Sequence, residues 1–354
     1  MRRYNVVASG DFIRADGLPA FPEFDFGPLQ RDPRIDFRFL QQSDEIAPEQ
    51  IADADALVLS GPRISAGSFD NNGRLSLIAQ FGAGFNHIDL DAATRNGVAV
   101  TNTPNGVRRP VAVAILTLMF ALTTKLMVKA PLTGLGEDGW RKAGAQTGVG
   151  LSGKTLGSIG LGNIGAEMFR LAQPLNMKFI AFDPYAGADA AAKLGVRLVA
   201  IEDLFRQSDI LCVNCPLNSE TRGIVNAVRL AQMKPTAYVI NTSRGGTVDQ
   251  KALTEALADH RIEGAALDVF EQEPPDPDDP LFQLDNVILT PHALCWTDEL
   301  YAGCGRDAVQ SVLDLLSGKA PAHIVNPDVV VTTAWRSKLV SFLSPMDQKL
   351  KEAR

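Results

Sequence analysis

Three side chains of complementary chemistry each follow an apolar run in this chain. Arg244 closes Val239-Ile240-Asn241-Thr242-Ser243, Glu273 follows Leu267-Asp268-Val269-Phe270, and His292 follows Leu289-Thr290-Pro291. An arginine offers a directed fork to a carboxylate and an adjacent carbonyl. A histidine titrates near neutrality and can hand a proton to a carbonyl oxygen as a hydride reaches its carbon. A glutamate beside that imidazole fixes its orientation and favours its protonated form. The three together suit the reduction of a 2-oxo acid, or the reverse oxidation of a 2-hydroxy acid. Taken singly, each is more often a surface charge or a loop residue, so the set gains weight only from what precedes it.

What precedes it is a dinucleotide motif. Thr155-Leu156-Gly157-Ser158-Ile159 reads as a strand, followed by Gly160-Leu161-Gly162-Asn163-Ile164-Gly165 and a helical run from Ala166. In that context Gly160 permits a tight turn, Gly162 lets backbone approach a pyrophosphate, and Gly165 lets helix and sheet pack closely. The amides near Asn163 and Ile164 then face phosphate at the positive end of the helix. The next strand ends at Asp183, about 18 residues beyond Gly165. An acid at that spacing accepts hydrogen bonds from the ribose hydroxyls of NAD and repels the 2′-phosphate of NADP.

The elements that must position these residues form an α/β pattern. Strands are expected at Tyr4–Ser9, Ala54–Ser60, Leu75–Phe81 and Val98–Thr101, giving an α/β domain over residues 1–103. Pro104 to Arg109 breaks that pattern and a long apolar helix follows. A glycine-rich, mobile-looking segment (Gly134, Gly136, Gly139) then leads to Trp140. After Lys154 further strands are expected at Lys178–Phe182, Ile210–Asn214, Tyr238–Asn241, Gly264–Asp268 and Val287–Thr290, the succession of a doubly wound parallel sheet. A helix is expected from about Asp298 to Leu316. The domains read as 1–103 with 299–330, an insertion at 104–298, and a tail at 331–354.

The chain has 354 residues, 45% hydrophobic and 21% charged, with a net charge of −7. That supports two globular cores and argues against nucleic acid as a partner. No secretory leader is visible in the opening residues. The longest uncharged apolar stretch, Val111–Thr124, is shorter than the ~20 residues that span a bilayer, so it reads as a buried helix and no membrane association is expected. Cys212 and Cys215 form a C-x-x-C, which invites a metal or redox role. Without a second Cys or His pair nearby, buried strand-end cysteines are the simpler account and no metal is expected.

Several motifs together resemble the D-isomer-specific 2-hydroxyacid dehydrogenases. They are Gly82-Ala83-Gly84-Phe85-Asn86-His87-Ile88-Asp89, Val100-Thr101-Asn102-Thr103-Pro104, Gly160–Gly165, Cys215-Pro216-Leu217, Asn241–Gly245, Leu267–Phe270, Glu273-Pro274 and Thr290-Pro291-His292. The resemblance runs from about Leu75 to His292. It implies two Rossmann-like, doubly wound domains with parallel sheets and an active-site cleft between them. The N-terminal domain, joined by the C-terminal helix, is the substrate-binding part, and the inserted domain binds NAD. By the same resemblance Arg244 binds substrate, His292 donates the proton, Glu273 is its partner, and the Ala83-Gly84 amides grip the substrate carboxylate. Asp268 and Thr242 face the nicotinamide, and Cys215 and Pro216 join the cofactor site with Arg244 and His292. A cytoplasmic homodimer is implied, with the helix near Pro110–Lys125 at its interface.

The chain departs from the family pattern in places. Val113 stands where the family often has Glu, and Asn214 where it often has His. Ala293-Leu294-Cys295-Trp296 replaces small residues after the histidine, so Trp296 either lines the substrate pocket or packs between domains. Arg63, Arg108 and Arg109 are candidate anion contacts, with exposed arginines as the simpler account. Glu rather than Gln at position 273 argues against formate. The early end of the chain leaves no room for a C-terminal regulatory domain, so hydroxypyruvate- or glyoxylate-like acids rank above a phosphorylated substrate. The competing class is a non-catalytic NAD(H)-sensing protein on the same scaffold. The tail residues Trp335, Leu339, Phe342 and Leu343 either cover a neighbouring subunit or pack within the chain.

Overall fold

The computed structural model describes residues 3–70 and 73–342. The chain divides into two compact units, one comprising Met1–Val107 with the residues from Thr297 onward, the other Arg108–Trp296.

The first unit is built on five parallel strands: β1 (Tyr4–Ala8), β2 (Ile35–Phe39), β3 (Ala56–Leu59), β4 (Leu77–Gln80) and β5 (Ala99–Thr101), in the spatial order β2-β1-β3-β4-β5. The inner strands β3 and β4 are buried at every residue. This is the pattern of a parallel sheet covered on both faces, and it is why continuous apolar runs mark these strands in the sequence. The edge strand β2 alternates instead, with Asp36 and Arg38 facing outward, so it carries no such run.

The expected C-terminal helix is Asp298–Leu316, capped by the Thr297 side chain on the Leu300 amide. The described part of the 331–354 segment is a helix, Thr333–Ser341, that packs within this unit. Trp335 is 2% exposed and donates its indole N–H to the Ser76 carbonyl, and Phe342 is buried beside Tyr4. Leu343 lies outside the described residues.

The second unit holds seven parallel strands: β6 (Thr155–Ile159), β7 (Lys178–Phe182), β8 (Val196–Leu198), β9 (Ile210–Val213), β10 (Tyr238–Asn241), β11 (Gly264–Leu267) and β12 (Val287–Leu289). Their order is β12-β11-β10-β9-β6-β7-β8. Strand order reverses between β6 and β9, the place where a doubly wound sheet opens a crevice beyond its strand C-termini. β8 goes unrecognised in the sequence because it is a three-residue edge strand with Arg197 exposed at its centre.

The break expected at Pro104–Arg109 is instead the start of one helix, Pro104–Thr123. Pro104 opens it, a position where the missing amide has no intrahelical partner to lose. This helix is long and apolar enough to cross a membrane by length and composition, but 67% of its most apolar window is buried inside the protein. The glycine-rich stretch after it is largely helical, ending in Gly136–Gly144. Gly139 is required there by close packing: a Cβ would lie 2.0 Å from the Leu132 carbonyl oxygen.

Candidate active site

Arg244, Glu273 and His292 all belong to the second unit, each just beyond the C-terminal end of one of three adjacent strands. Arg244 follows β10, Glu273 follows β11 and His292 follows β12. His292 Nδ1 lies 2.8 Å from Glu273 Oε2. The other carboxylate oxygen, Oε1, accepts the Phe270 amide at 3.0 Å. Burial raises the Glu273 pKa, but the hydrogen bonds from His292 and Phe270 and the charges of His292 and Arg244 outweigh it and hold the carboxyl below its ordinary value. His292 sits at φ 53°, a left-handed conformation uncommon outside glycine.

The backbone around His292 is held by Asp268. Its carboxylate, 3% exposed, accepts the Thr290 hydroxyl at 2.7 Å and the amides of Ala293 and Leu294 at 3.2 and 3.3 Å. The expectation places Asp268 against the nicotinamide. The structure adds a positioning part, in which one buried acid ties the segment after β12 to the end of β11.

The turn carrying Arg244 is equally constrained. The Asn241 side chain accepts the amide and hydroxyl of Ser243 and donates to the Arg244 carbonyl, which also accepts the Thr247 hydroxyl. Thr242 lies within this frame. Burial lowers the Arg244 pKa, and the Glu273 carboxylate works against that. Asn241 and Thr247 thus frame the turn that carries Arg244, a part that their sequence positions alone do not reveal. Their signal was the polar and glycine-rich run immediately after a fully apolar strand.

The glycine loop fits a dinucleotide. Gly160 has φ 96°, and a Cβ on it would lie 2.8 Å from the Asn214 carbonyl oxygen and 3.1 Å from the Cys215 amide nitrogen. The turn thus lies against the Asn214-Cys215-Pro216 segment at the point where strand order reverses. A Cβ on Gly165 would lie 2.6 Å from the Gly160 carbonyl oxygen, whereas Gly162 faces open space. Gly162 caps the helix Asn163–Ala172 without a side-chain hydrogen bond. Its open side and the first amides, with Asn163 and Ile164, form a cradle where phosphate can approach.

Asp183, at the end of β7, accepts the Leu161 amide at 2.7 Å and the Tyr185 amide at 2.8 Å, one on each oxygen. Each oxygen keeps a further lone pair for a ribose hydroxyl. Asn214 also acts beneath the loop, donating to the Ser158 hydroxyl, which in turn donates to the Gly160 carbonyl.

Ala83 and Gly84 lie in the first unit, in the loop after β4. The Ala83 carbonyl accepts the Asn102 side chain, and Thr103 brackets Gly82 from its amide and hydroxyl. Arg109 pairs with Glu167 at 3.4 Å, beside the closer Arg170. Cys212 and Cys215 are free and buried, and burial pushes the Cys215 thiol up to about 11. Among the described residues no three His, Cys, Asp or Glu side chains gather as metal ligands. Trp296 is half exposed.

The family of D-isomer specific 2-hydroxyacid dehydrogenases, through the model of its NAD binding domain, matches residues 116–293. A D-3-phosphoglycerate dehydrogenase of Methanocaldococcus jannaschii is 38% identical over 280 residues, 78% of this chain and 53% of that protein. A glyoxylate reductase of Korarchaeum cryptofilum is 36% identical over 293 residues, covering 81% and 87%. The crystal structure of an NADPH-dependent glyoxylate/hydroxypyruvate reductase from Sinorhizobium meliloti superposes with a TM-score of 0.76 at 26% identity, over 92% of this chain and 98% of that one. Fold and sequence agree on the class: a doubly wound α/β protein with a domain for a nicotinamide cofactor. The chain belongs to the D-isomer-specific 2-hydroxyacid dehydrogenase family. It spans about half the length of the curated D-3-phosphoglycerate dehydrogenases of Methanocaldococcus jannaschii and Archaeoglobus fulgidus, and most of the length of the glyoxylate reductases of Korarchaeum cryptofilum and Aeropyrum pernix.

Proposed function

We propose that the chain is an NAD-dependent reductase of a small, unphosphorylated 2-oxo acid of the glyoxylate or hydroxypyruvate type, working through Arg244, Glu273 and His292. The observation that carries this reading is the 2.8 Å contact between His292 Nδ1 and Glu273 Oε2, in the same unit as the half-buried Arg244. The cofactor, when bound, supplies the hydride. The Gly160–Gly165 cradle, the Cys215-Pro216 segment, Thr242 and Asp268 would hold it, and Asp183 would take the ribose hydroxyls.

Arg244 binds the substrate carboxylate and polarises its carbonyl. Glu273 occupies Nδ1 of the imidazole, so the opposite nitrogen, Nε2, faces outward to give its proton to the carbonyl oxygen as the carbon accepts hydride. The imidazole becomes neutral and keeps its Nδ1 proton, hydrogen-bonded to the Glu273 carboxylate, whose remaining nearby positive charge is Arg244.

The glyoxylate-type substrate is supported by several relatives named glyoxylate reductase, 33–37% identical to this chain. A homodimer is supported by exposed apolar residues gathered on one stretch of chain: Val113, Phe120, Leu126, Met127, Leu135 and Trp140. A cytoplasmic location is supported by the buried free thiols of Cys212, Cys215 and Cys304.

The test is an NADH-oxidation screen over glyoxylate, hydroxypyruvate, pyruvate, phenylpyruvate and 3-phosphohydroxypyruvate. Turnover is expected with glyoxylate or hydroxypyruvate. NADH binding without turnover on any of them would favour a sensor instead, and a clear preference for the phosphorylated acid would overturn the substrate assignment.

A further inference from the structure

In the second unit a hydrogen bond joins two loops that flank the glycine cradle. The Tyr185 hydroxyl donates to Glu220 Oε2 at 3.1 Å. Tyr185 stands in the loop after β7, just past Asp183, and Glu220 in the loop after β9. In the sheet β6 lies between those two strands. The bridge therefore spans the C-terminal end of β6, where the glycine loop begins, across two strand spacings of ~4.8 Å each.

Each end of the bridge is fixed by its own backbone. The Tyr185 amide donates to Asp183 Oδ1 at 2.8 Å, so the phenol leaves the same turn that presents the ribose acid. The Glu220 and Thr221 amides donate to Asn218 Oδ1 at 2.9 and 3.0 Å, and the Thr221 hydroxyl donates to the Pro216 carbonyl. Glu220 is thereby tied to the Asn214-Cys215-Pro216 segment against which Gly160 lies. Tyr185 is 82% exposed and Glu220 is exposed too. An exposed contact of this kind stabilises a fold little. What it does is place a second carboxylate on the ribose side of the crevice.

The hydrogen bond to Glu220, the Glu220 charge and the Asp183 charge all raise the Tyr185 phenol above its ordinary value, so both acids act on one hydroxyl. Among the described residues neither Asp183 nor Glu220 is in an ion pair. Their negative charges therefore reinforce one another. From this arrangement we propose that Glu220 is a second determinant of cofactor choice, acting with Asp183 against a phosphate on the adenosine ribose, and that Tyr185 is its positioning residue. The inference rests on the reading of Asp183 as the ribose acid. It adds that the choice is shared between two loops, and the spacing from the glycine motif points to only one of them.

The test measures binding alone. Adenosine 5′-monophosphate and adenosine 2′,5′-bisphosphate carry the adenosine end of the cofactor and differ only by the 2′-phosphate. Both are titrated by ligand-observed NMR against the wild type, Glu220→Gln and Tyr185→Phe, at low ionic strength and at ~1 M salt. The wild type should prefer the monophosphate. Glu220→Gln should narrow that preference about threefold to tenfold at low salt, the reach of one exposed charge on a doubly charged phosphate. The change should come from tighter bisphosphate binding, with monophosphate affinity within about twofold of the wild type. Tyr185→Phe keeps the charge but frees it, and should narrow the preference less. At ~1 M salt the gap between wild type and Glu220→Gln should close. An unchanged preference in Glu220→Gln would overturn the proposal while leaving Asp183 its part. Equal weakening of both nucleotides, or a gap that survives high salt, would overturn it too, because the bridge would then only shape the loop. No change in Tyr185→Phe would refute its positioning part. A wild type that prefers the bisphosphate would overturn the reading of Asp183, and the proposal with it.

Discussion

Gly245 lies so close to Phe270 that a Cβ placed on it would come within 1.9 Å of the Phe270 carbonyl carbon and oxygen. The turn carrying Arg244 is thereby pressed against the loop carrying Glu273, whose Oε1 is held by the Phe270 amide. The spacing of guanidinium and carboxylate thus depends on the absence of one side chain. Gly245→Ala should force the two segments apart. Misplacing a reacting group by ~1 Å costs on the order of 10²-fold in rate, so kcat/KM should fall by about that factor. Steady-state kinetics check this, and full activity in the variant would mean that the close approach is incidental.

Glu273 gives a pH dependence with a definite sign. Its carboxyl is held below the ordinary value by His292, Phe270 and Arg244 despite partial burial. An acid depressed in the folded state contributes stability that is fully present above its unfolded value of ~4.3 and is lost as pH falls through the lower folded value. Urea unfolding of the wild type and Glu273→Gln should therefore differ at about pH 5, and that difference should shrink as pH falls below ~4.3. A difference that ignores pH would contradict an ionised pair.

Lys338 titrates at the other end of the scale. Burial brings its ammonium down to about 8, while it donates to the carbonyls of Leu75 and Asn96. In the unfolded chain the group keeps its proton up to ~10.4, so the unfolded state binds more protons in the interval between. The stability of the wild type should rise with pH from about 8 to ~10.4 relative to Lys338→Met. Thermal unfolding across that range measures it, and parallel curves for the two proteins would refute the burial argument.

The framework was legible where burial writes itself into composition. The inner strands β3, β4, β9 and β10 are apolar at nearly every position, and the glycine pattern after β6 has one structural meaning. The edge strands β2 and β8 escaped because one side of each faces water. The parts of Asn241, Gly245 and Asp268 as a scaffold also escaped. They act through backbone groups of residues in other loops, and no local spacing encodes which loop lies opposite.

Asp183 holds two loop amides, Leu161 and Tyr185, besides the ribose assignment made for it. Asp183→Ala should therefore do two things: loosen the glycine loop, weakening both cofactors, and remove the repulsion of a 2′-phosphate. The ratio of NADH to NADPH efficiency should fall by about tenfold or more. Parallel kinetics with both cofactors supply the check. A wild type that already favours NADPH would contradict the ribose argument.

The central claim is that His292, oriented by Glu273, carries the proton. It is tested most directly by His292→Ala, with single-turnover reduction and NADH binding measured on the same sample. Turnover is expected to fall about 10²–10⁴-fold while the NADH dissociation constant stays within about twofold of the wild type. Turnover preserved in that variant would contradict the account.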